Sequence, residues 1–265
     1  MRLENKTAIV TGAASGLGKA IVEKFLEEGS RVIIVDINED AARELSENLG
    51  AKTLAVKADV GDTNSVENLK KSVFDSFETV DVLVNNAGVT HLPTPLDEVT
   101  EEDFDRVFRI NCKSVYLMAK AFVPEMKNQS SGSILNIAST AGVSPRPNLN
   151  WYNSSKGWMN TATKTMAVEL APFGVRVNAV NPVASETPLL ASFMGEDTPE
   201  MRQKFLSTIP LGRFAQPEDI ANAACYLSSE EASMVTGVCM QVDGGPVSYT
   251  HLRAHETRED LVCRL

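Results

Sequence analysis

The sequence has no long hydrophobic run, few cysteines and a deficit of positive charge. No apolar run approaches the roughly 20 residues that a membrane-spanning helix needs, and the residues that follow Met1 lack the pattern of a signal peptide. The four cysteines form no Cys-x-x-Cys pair and no zinc spacing, so they are interpreted as reduced thiols. These absences predict a cytoplasmic location and no membrane partner.

Acidic residues outnumber basic ones in this chain. Its 265 residues include 25 Lys or Arg and 35 Asp or Glu, which gives a formal net charge of −10. Because such a chain repels nucleic-acid phosphates overall, nucleic acid is not expected as a partner. Hydrophobic residues make up 43% of the chain and charged residues 23%, a balance that allows a sizeable core and argues against disorder.

Short apolar runs alternate with longer segments of helical period, and no linker or internal repeat divides the chain. The runs, which are predicted to form buried parallel strands, are Thr7–Thr11, Arg31–Val35, Thr53–Ala58, Val80–Asn85, Ser133–Ala138, Val175–Val180 and Val238–Val242. The predicted helices are Leu17–Glu28, Glu39–Leu49, Ser65–Phe77, Glu101–Asn128, Ser154–Ala171 and Pro217–Ser228. This order predicts an α/β, single-domain Rossmann fold over residues 1–246, a doubly wound seven-stranded parallel sheet with helices on both faces. The stretch Val183–Ile209 interrupts the alternation and is predicted to be an irregular substrate lid.

A glycine-rich turn joins the first strand to the first helix. Gly12 permits the tight turn, Gly16 lets the backbone approach a pyrophosphate, and Gly18 lets the helix pack close to the sheet. Such turns can serve packing alone, but the strand–turn–helix setting favours dinucleotide binding. The residues assigned to this contact are Gly12, Ser15, Gly16, Leu17 and Gly18.

Asp36 ends the second predicted strand, 18 residues after Gly18. A carboxylate at this place can accept hydrogen bonds from ribose hydroxyls, and its charge repels a 2′-phosphate. Neither Ser15 nor Ile37 supplies a cation that would offset this charge. The alternative is that Asp36 only caps the helix that begins near Asn38. The sequence predicts NAD, rather than NADP, as the cofactor.

The glycine spacing is accompanied by Asn85-Asn86-Ala87-Gly88, by Ser139 and by Tyr152-x-x-x-Lys156. Together these features resemble the short-chain dehydrogenase/reductase family over about residues 3–246. The resemblance implies an oxidoreductase that transfers a hydride between NAD(H) and a small-molecule alcohol or carbonyl substrate. The catalytic residues that it implies are Asn111, Ser139, Tyr152 and Lys156.

Tyr152 is expected to act as the general acid/base. Free tyrosine has a pKa of about 10, about three units too high for a base at neutral pH, so the site must favour tyrosinate by roughly 4 kcal/mol. The Lys156 ammonium and a positive nicotinamide ring are expected to supply this energy together. Ser139 is expected to donate a hydrogen bond to the substrate oxygen. The resemblance alone assigns Asn111, as the anchor of a water in the proton path.

A second Tyr-x-x-x-Lys occurs at Tyr116 and Lys120. Any Tyr and Lys at this spacing share a helix face, so the spacing by itself proves little. Tyr152 lies 13 residues after Ser139, beside the strand ends where ligands bind in open α/β sheets. Tyr116 lies some 15–20 Å along its predicted helix. Tyr116 and Lys120 are therefore predicted to be packing or subunit-contact residues.

The resemblance also implies cofactor contacts outside the glycine turn. They are Asp59, Val60, Asn86, Ala87, Gly88, Tyr152, Lys156, Pro182 and Thr187. In the family, the proline that Pro182 matches is usually followed by Gly, whereas this chain has Val183. A β-branched residue does not readily take the backbone angles that are open to Gly, so the local contact is expected to differ.

Several stretches resemble dehydrogenases of aryl alcohols, including hydroxymethyl-benzenesulfonate dehydrogenases, and also 3-oxoacyl-carrier-protein reductases. They are Thr90-His91, Trp151-Tyr152, Glu186-Thr187-Pro188, Phe193-Met194-Gly195 and residues 209–214. Pocket candidates are His91, Arg146, Asn148, Trp151, Phe193 and Met194. Trp151 and Phe193 either sandwich a substrate ring or only cover the core, and Arg146 is expected to face an anionic group.

Three functions remain open at this point. The first is an NAD-dependent alcohol dehydrogenase. The alternatives are an NADPH-dependent 3-oxoacyl-(acyl-carrier-protein) reductase and a non-catalytic NAD(H)-binding protein. Because Asp36 disfavours NADPH, alcohol oxidation ranks first.

Residues 247–265 resemble translated cloning DNA more than a domain element. His251 and His255 have the spacing of metal ligands, but no third ligand is evident and no metal site is predicted. The resemblance implies a homo-tetramer or homo-dimer.

Overall fold

Seven parallel strands form the centre of the protein. The computed structural model describes residues 1–245. The strands are β1 (Thr7–Thr11), β2 (Arg31–Asp36), β3 (Thr53–Lys57), β4 (Val82–Asn85), β5 (Gly132–Ile137), β6 (Val175–Pro182) and β7 (Cys239–Val242). Their order in the sheet is β3-β2-β1-β4-β5-β6-β7, and all neighbouring pairs are parallel. The predicted fold is confirmed, and the strand bounds differ by one or two residues, as is usual at strand ends.

Helices cover both faces of this sheet. They are α1 (Gly16–Glu27), α2 (Glu39–Leu49), α3 (Thr63–Ser76), α4 (Glu101–Phe108), α5 (Ser114–Gln129), α6 (Asn150–Leu170), α7 (Leu190–Met194), α8 (Pro199–Leu206) and α9 (Pro217–Ser228). On one face α1 packs against α9, and on the other α3 packs against α5. Phe25 of α1 and Phe122 of α5 are completely buried in these two layers. Burial on both faces is the reason that the strands are continuously apolar.

The helix predicted over Glu101–Asn128 is interrupted. A π-helical turn, Arg109–Lys113, separates α4 from α5. Asn111 lies in this turn, and its side-chain amide bonds both backbone groups of Val89 at 2.9 Å. This contact joins the π-helical turn to a loop that is distant in sequence. The helical period of the sequence reflects only local spacing, so it did not predict the turn. Such turns are frequent at functional sites.

The stretch Val183–Ile209 contains regular structure, contrary to the expectation of an irregular lid. The short helices α7 and α8 lie within it. Thr198 caps α8 by accepting a hydrogen bond from the Met201 amide at 3.2 Å, and Pro199 occupies the first turn. Two-turn helices carry little periodicity, but this Thr-Pro signal could have identified α8.

The sheet order places a crevice at one edge of the molecule. The chain crosses from β1 outward to β2 and β3 and then returns to β4 on the other side of β1. In open α/β sheets, ligands bind outside the carboxyl ends of the strands at such a switch point.

Among residues 1–245, no helix combines the length and the apolar character that crossing a membrane requires.

Candidate active site

The glycine turn after β1 forms a cradle of bare backbone. Gly12 and Gly16 have φ angles of +60° and +54°, in the left-handed region that favours glycine. A Cβ on Gly12 would lie 2.8 Å from the Ala87 Cα, and a Cβ on Gly18 would lie 2.2 Å from the Gly12 carbonyl oxygen. Ser15 is the N-cap residue of α1, and its side chain makes no capping hydrogen bond, so it leaves the first N–H groups of the helix available to a ligand. These residues fit the pyrophosphate of a dinucleotide.

The segment after β4 forms hydrogen bonds with the residues of this cradle. The Asn86 side-chain amide donates to the carbonyl oxygens of Thr11 and Gly12 at 2.8 and 2.9 Å. The Ala87 amide donates to the Thr11 hydroxyl at 3.1 Å. Asn86 and Ala87 therefore hold the shape of the turn and also line the cavity beside it.

Asp36 lies at the end of β2 and bonds the same turn. One carboxylate oxygen accepts from the Ala14 amide and the other from the Asn38 amide, each at 3.0 Å. The helix α2 is capped by Asn38, whose side chain accepts from the Ala41 amide at 3.2 Å. The alternative that Asp36 only caps this helix is therefore wrong. Its carboxylate joins the strand end to the glycine turn.

Asp59 and Val60 follow β3. The Asp59 carboxylate accepts from Arg109 at 2.7 Å and from the Gly61 amide at 2.9 Å. Burial would raise the pKa of Asp59, but these two hydrogen bonds and the positive charges of Arg109 and Lys113 together outweigh it, and the pKa lies below its ordinary value. Both side-chain oxygens are thus engaged within the chain, while the side chain of Val60 is buried.

A cavity of about 380 Å³ extends from the glycine cradle along the strand ends. The predicted residues that line it are Gly12, Ser15, Gly16, Leu17, Asn86, Ala87, Gly88, Ser139, Tyr152, Lys156, Pro182 and Thr187. The predicted residues outside its lining are Gly18, Asp36, Asp59, Val60 and Asn111. The structure therefore brings the two motifs of the sequence, the glycine turn and the Tyr-Lys pair, to one cavity.

Tyr152 and Lys156 lie in the first two turns of α6, and both are buried. Burial raises the pKa of Tyr152 to about 12, although a hydrogen bond from Ser139 lowers it in part. Burial lowers the pKa of Lys156 to about 8. The Lys156 ammonium donates to the Ile137 carbonyl oxygen at 2.9 Å and lies 5.9 Å from the centre of the Tyr152 ring. Within the protein alone, burial thus opposes the lowering of the Tyr152 pKa that a catalytic base requires.

Ser139 and Asn111 flank this pair. The Ser139 amide donates to the Asn181 side chain at 3.2 Å, and its hydroxyl accepts from the Ala141 amide at 3.1 Å. The Asn111 amide donates to Val89 and to the Ser155 hydroxyl, each at 2.9 Å, so both of its hydrogens are engaged. Its side chain therefore links Val89 to Ser155 in the first two turns of α6.

Gly88 separates Lys156 from Asn111. A Cβ at this position would lie 3.4 Å from the Lys156 nitrogen and 3.5 Å from the Asn111 side-chain oxygen. The absence of a side chain at Gly88 therefore lets the two predicted catalytic residues approach the same point.

Val183 fits its position without strain. The only non-glycine residues with positive φ in the described range are Asn5, Ser130 and Asn148. Val183 is buried against the core, and its amide bonds the Val242 carbonyl oxygen at 3.2 Å. The residue that replaces glycine therefore adopts ordinary backbone angles, and it lines the cavity next to Pro182.

The candidates for the substrate pocket separate into two groups. Arg146 and Phe193 line the cavity, whereas His91, Asn148, Trp151 and Met194 do not. The Trp151 ring packs edge-on against Phe104, with 5.2 Å between ring centres, so of the two alternatives for Trp151 and Phe193 the sandwich of a substrate ring is wrong. Phe193 lies instead against Tyr152, at 5.0 Å.

Sequence reasoning missed Asn153 and Phe205, which also line the cavity. Asn153 follows Tyr152 directly, and no pattern distinguishes it. Phe205 lies in α8, and recognition of that helix would have made it a candidate. Tyr116, in the second Tyr-x-x-x-Lys, is 54% exposed and lies outside the cavity lining, as its position predicted.

Comparison with known proteins shows relatives over nearly the whole chain. A family model described as enoyl-(acyl carrier protein) reductase matches residues 12–246. The chain is 45% identical to 4-formylbenzenesulfonate dehydrogenase TsaC1/TsaC2 of Comamonas testosteroni, over 92% of this chain and 99% of that protein. It is 41% identical to the 3-oxoacyl-[acyl-carrier-protein] reductase FabG of Thermotoga maritima, over 93% and 100%.

A solved structure shows the same likeness in three dimensions. The 3-ketoacyl-(acyl-carrier-protein) reductase from Brucella melitensis complexed with NADH superimposes with a TM-score of 0.88 at 44% identity, covering 92% of this chain and 99% of that one. The matches span the glycine cradle, the catalytic candidates and the lid together. The chain belongs to the short-chain dehydrogenase/reductase family of oxidoreductases.

Proposed function

We propose that this protein is an NAD-dependent alcohol dehydrogenase that interconverts an alcohol and its carbonyl compound, with Tyr152 as general acid/base. The observation that carries the proposal is that Tyr152, Ser139 and Lys156 share one cavity with the glycine cradle. When bound there, NAD⁺ supplies the hydride acceptor and a positive charge. Within this frame, Tyr152 takes the proton of the substrate hydroxyl and Ser139 donates a hydrogen bond to the substrate oxygen.

Lys156 has two tasks in this proposal. Its positive charge, one helical turn from Tyr152, stabilises the ionised phenol, and its ammonium binds the ribose of the cofactor. Its anchor on the Ile137 carbonyl oxygen at 2.9 Å keeps the ammonium at the end of β5, beside the cradle. Asn111 holds Ser155 and Val89 in place, and through them it fixes the first turns of α6.

Asp36 supports NAD over NADP as the cofactor. Its carboxylate ends β2 and faces the glycine turn through the Ala14 amide. A 2′-phosphate placed at this strand end would meet that negative charge. The solved relative that is complexed with NADH is consistent with this choice. Asp59 and Val60, which follow β3, remain our candidates for the adenine contact.

The alternative function is an NADPH-dependent 3-oxoacyl-(acyl-carrier-protein) reductase. The names of two of the relatives favour the 3-oxoacyl-(acyl-carrier-protein) reductase activity, although the one complexed with NADH does not favour NADPH. The relative named 4-formylbenzenesulfonate dehydrogenase favours instead a small aromatic alcohol or aldehyde. We place the aromatic substrate first, because Phe193 and Phe205 form part of the cavity wall and Asp36 disfavours NADPH.

The test is a screen of benzylic, secondary and polyol alcohols with NAD and with NADP, followed by the absorbance of the reduced cofactor. Tyr152→Phe should abolish turnover and leave NADH affinity nearly unchanged, since only the proton-transfer group is lost. Tyr116→Phe is the matched control from the second Tyr-x-x-x-Lys, and it should retain full activity. Unchanged turnover in Tyr152→Phe would remove this residue from the mechanism. A strong preference for NADPH with a 3-oxoacyl substrate would establish the alternative.

We further propose that the chain assembles as a homo-tetramer or homo-dimer. The two long helices α5 and α6 expose large apolar side chains at Tyr116, Trp158 and Val168. A subunit contact would cover such side chains. Sedimentation equilibrium should give two or four chains per particle, and a monomer at every concentration would contradict the proposal.

A further inference from the structure

The cavity carries positive charge in a protein whose net charge is strongly negative. Among the described residues that line it, only Arg146 and Lys156 are charged, and no carboxylate is present. The whole chain has a formal net charge of −10. A cleft lined by one sign of charge concentrates ligands of the opposite sign. The excess of cations at this one place therefore points to an anionic ligand.

Lys156 is engaged by the proposed reaction, but Arg146 is not. The Arg146 side chain is half-buried in the loop before α6, and its guanidinium lies 4.4 Å from the centre of the Phe205 ring. Among residues 1–245, its one side-chain hydrogen bond is a long contact of 3.4 Å with the Thr208 hydroxyl. A guanidinium has five N–H donors, so most of those of Arg146 are unused within the described chain.

Several other arginines of this protein are paired with carboxylates. Arg109 bonds Asp59, Arg202 bonds Glu186 and Asp197, and Arg213 bonds Asp219. No acidic group among residues 1–245 lies within ion-pair distance of Arg146. Burial without a partner lowers the pKa of this arginine, which reflects the cost of the uncompensated charge. An anion bound beside it would remove that cost.

The neighbouring Asn153 fixes the place of Arg146 in the site. Its side-chain amide donates to the Arg146 carbonyl oxygen at 2.7 Å, which ties the loop to the residue that follows Tyr152. The Asn153 side-chain oxygen is buried and has no hydrogen-bond partner among the described residues. Asn153 itself lines the cavity and is 7% exposed. A ligand donor or a water can satisfy this oxygen.

We propose that Arg146 is a specificity-determining residue that binds a carboxylate or sulfonate group of the substrate. This inference rests on the proposed function and narrows its substrate class to aromatic alcohols and aldehydes that carry an anionic group. Phe193 lies against Tyr152 at the reacting end, and Phe205 lies beneath Arg146 at the other. Both rings belong to the segment 183–209, so they can contact an aromatic ring held between the base and the guanidinium.

The anion that Arg146 binds has two candidate sources, the substrate and the phosphates of the cofactor. We assign it to the substrate because the glycine cradle already supplies the backbone donors that a pyrophosphate needs, whereas Arg146 lies on the loop that leads to the catalytic helix. The two sources differ in which Michaelis constant depends on Arg146, and this difference can be measured.

The experiment compares 4-(hydroxymethyl)benzoate with its neutral methyl ester as substrates, in the wild-type protein and in Arg146→Gln. The wild type should prefer the carboxylate, and Arg146→Gln should reduce the ratio of the two kcat/KM values about 10- to 100-fold, the range for a charge-assisted hydrogen bond. Arg146→Lys should keep part of the preference, since the charge remains without the fork. Arg213→Gln, an exposed arginine outside the cavity, is the matched control and should leave the ratio unchanged.

The ratio separates recognition from general damage, because a distorted pocket lowers both kcat/KM values together. An unchanged ratio in Arg146→Gln, or a wild-type preference for the ester, would overturn the inference while the dehydrogenase function stands. A rise in the KM for NAD with the ratio unchanged would assign Arg146 to the cofactor and overturn it as well.

A binding measurement keeps the inference testable without turnover. Benzoate has no alcohol to oxidise, and its affinity for the NADH-bound protein can be measured by calorimetry. We expect Arg146→Gln to weaken this affinity at least 10-fold. If neither alcohol is oxidised but benzoate binding still depends on Arg146, the proposed function fails and the anion site stands. Equal benzoate affinity in both proteins would refute the anion site.

Discussion

Lys156 tests how the phenol of Tyr152 becomes a base. Burial raises the pKa of Tyr152 to about 12, so ionisation at neutral pH requires about five units, or about 7 kcal/mol. The sequence alone suggested about 4 kcal/mol, because it started from the pKa of free tyrosine. The Lys156 ammonium lies 5.9 Å from the ring centre. At an effective dielectric constant of about 20, a charge at this distance contributes about 3 kcal/mol, or about two pKa units.

The variant Lys156→Met removes this charge and keeps an unbranched side chain that is one atom shorter. A cation stabilises tyrosinate and lowers the pKa of Tyr152, so its loss raises that pKa. The rising limb of kcat/KM for alcohol oxidation, measured at saturating NAD, should therefore move to higher pH by about two units. The variant is expected to fold, since burial disfavours the charged lysine and lowers its pKa to about 8.

The assay is the pH profile of NAD reduction over the range in which both proteins remain folded. Lys120→Met is the matched control, because Lys120 stands at the same spacing from Tyr116 and is exposed. Its profile should coincide with that of the wild type. A shift of less than about half a unit in Lys156→Met would refute the electrostatic role of the lysine, whatever the loss in overall rate.

Asp36→Ser should lower the preference for NAD over NADP, measured as the ratio of kcat/KM values, on the order of 100-fold. The Asp36 carboxylate and a 2′-phosphate are both negative, and unit charges about 5 Å apart at a dielectric constant of about 20 repel by about 3 kcal/mol. An unchanged preference would contradict the role of Asp36. Gly18→Ala places a Cβ 2.2 Å from the Gly12 carbonyl oxygen, so calorimetry should show loss of NADH binding, and normal binding would show that the turn can move. Phe122→Ala removes a completely buried ring from the layer between α5 and the sheet. Urea unfolding should show that the free energy of unfolding falls by about 3–5 kcal/mol. A fall below about 1 kcal/mol would show that neighbouring side chains fill the space left by the ring.

Local patterns in the sequence determined the architecture of this protein. The apolar runs predicted the seven strands, because a strand buried on both faces must be apolar throughout. The glycine turn was recognised for a similar reason: the positive φ at Gly12 and the close approach of Gly12 to Ala87 exclude a side chain there. The position of Tyr152 after β5 distinguished it from Tyr116, since chain order decides which helices begin at the crevice.

Only the tertiary structure decided which side chains face the cavity and how they are charged. Trp151 stands next to Tyr152 in sequence, yet it packs against Phe104 of another helix and leaves the cavity to Phe205. The unpaired state of Arg146 is likewise invisible in the sequence, because it depends on which carboxylates the other arginines have engaged. The pKa of Tyr152 rises through burial by residues far along the chain. Spacing records the contacts within one helix or turn, whereas the partners and the solvation of a side chain arise only when distant segments meet.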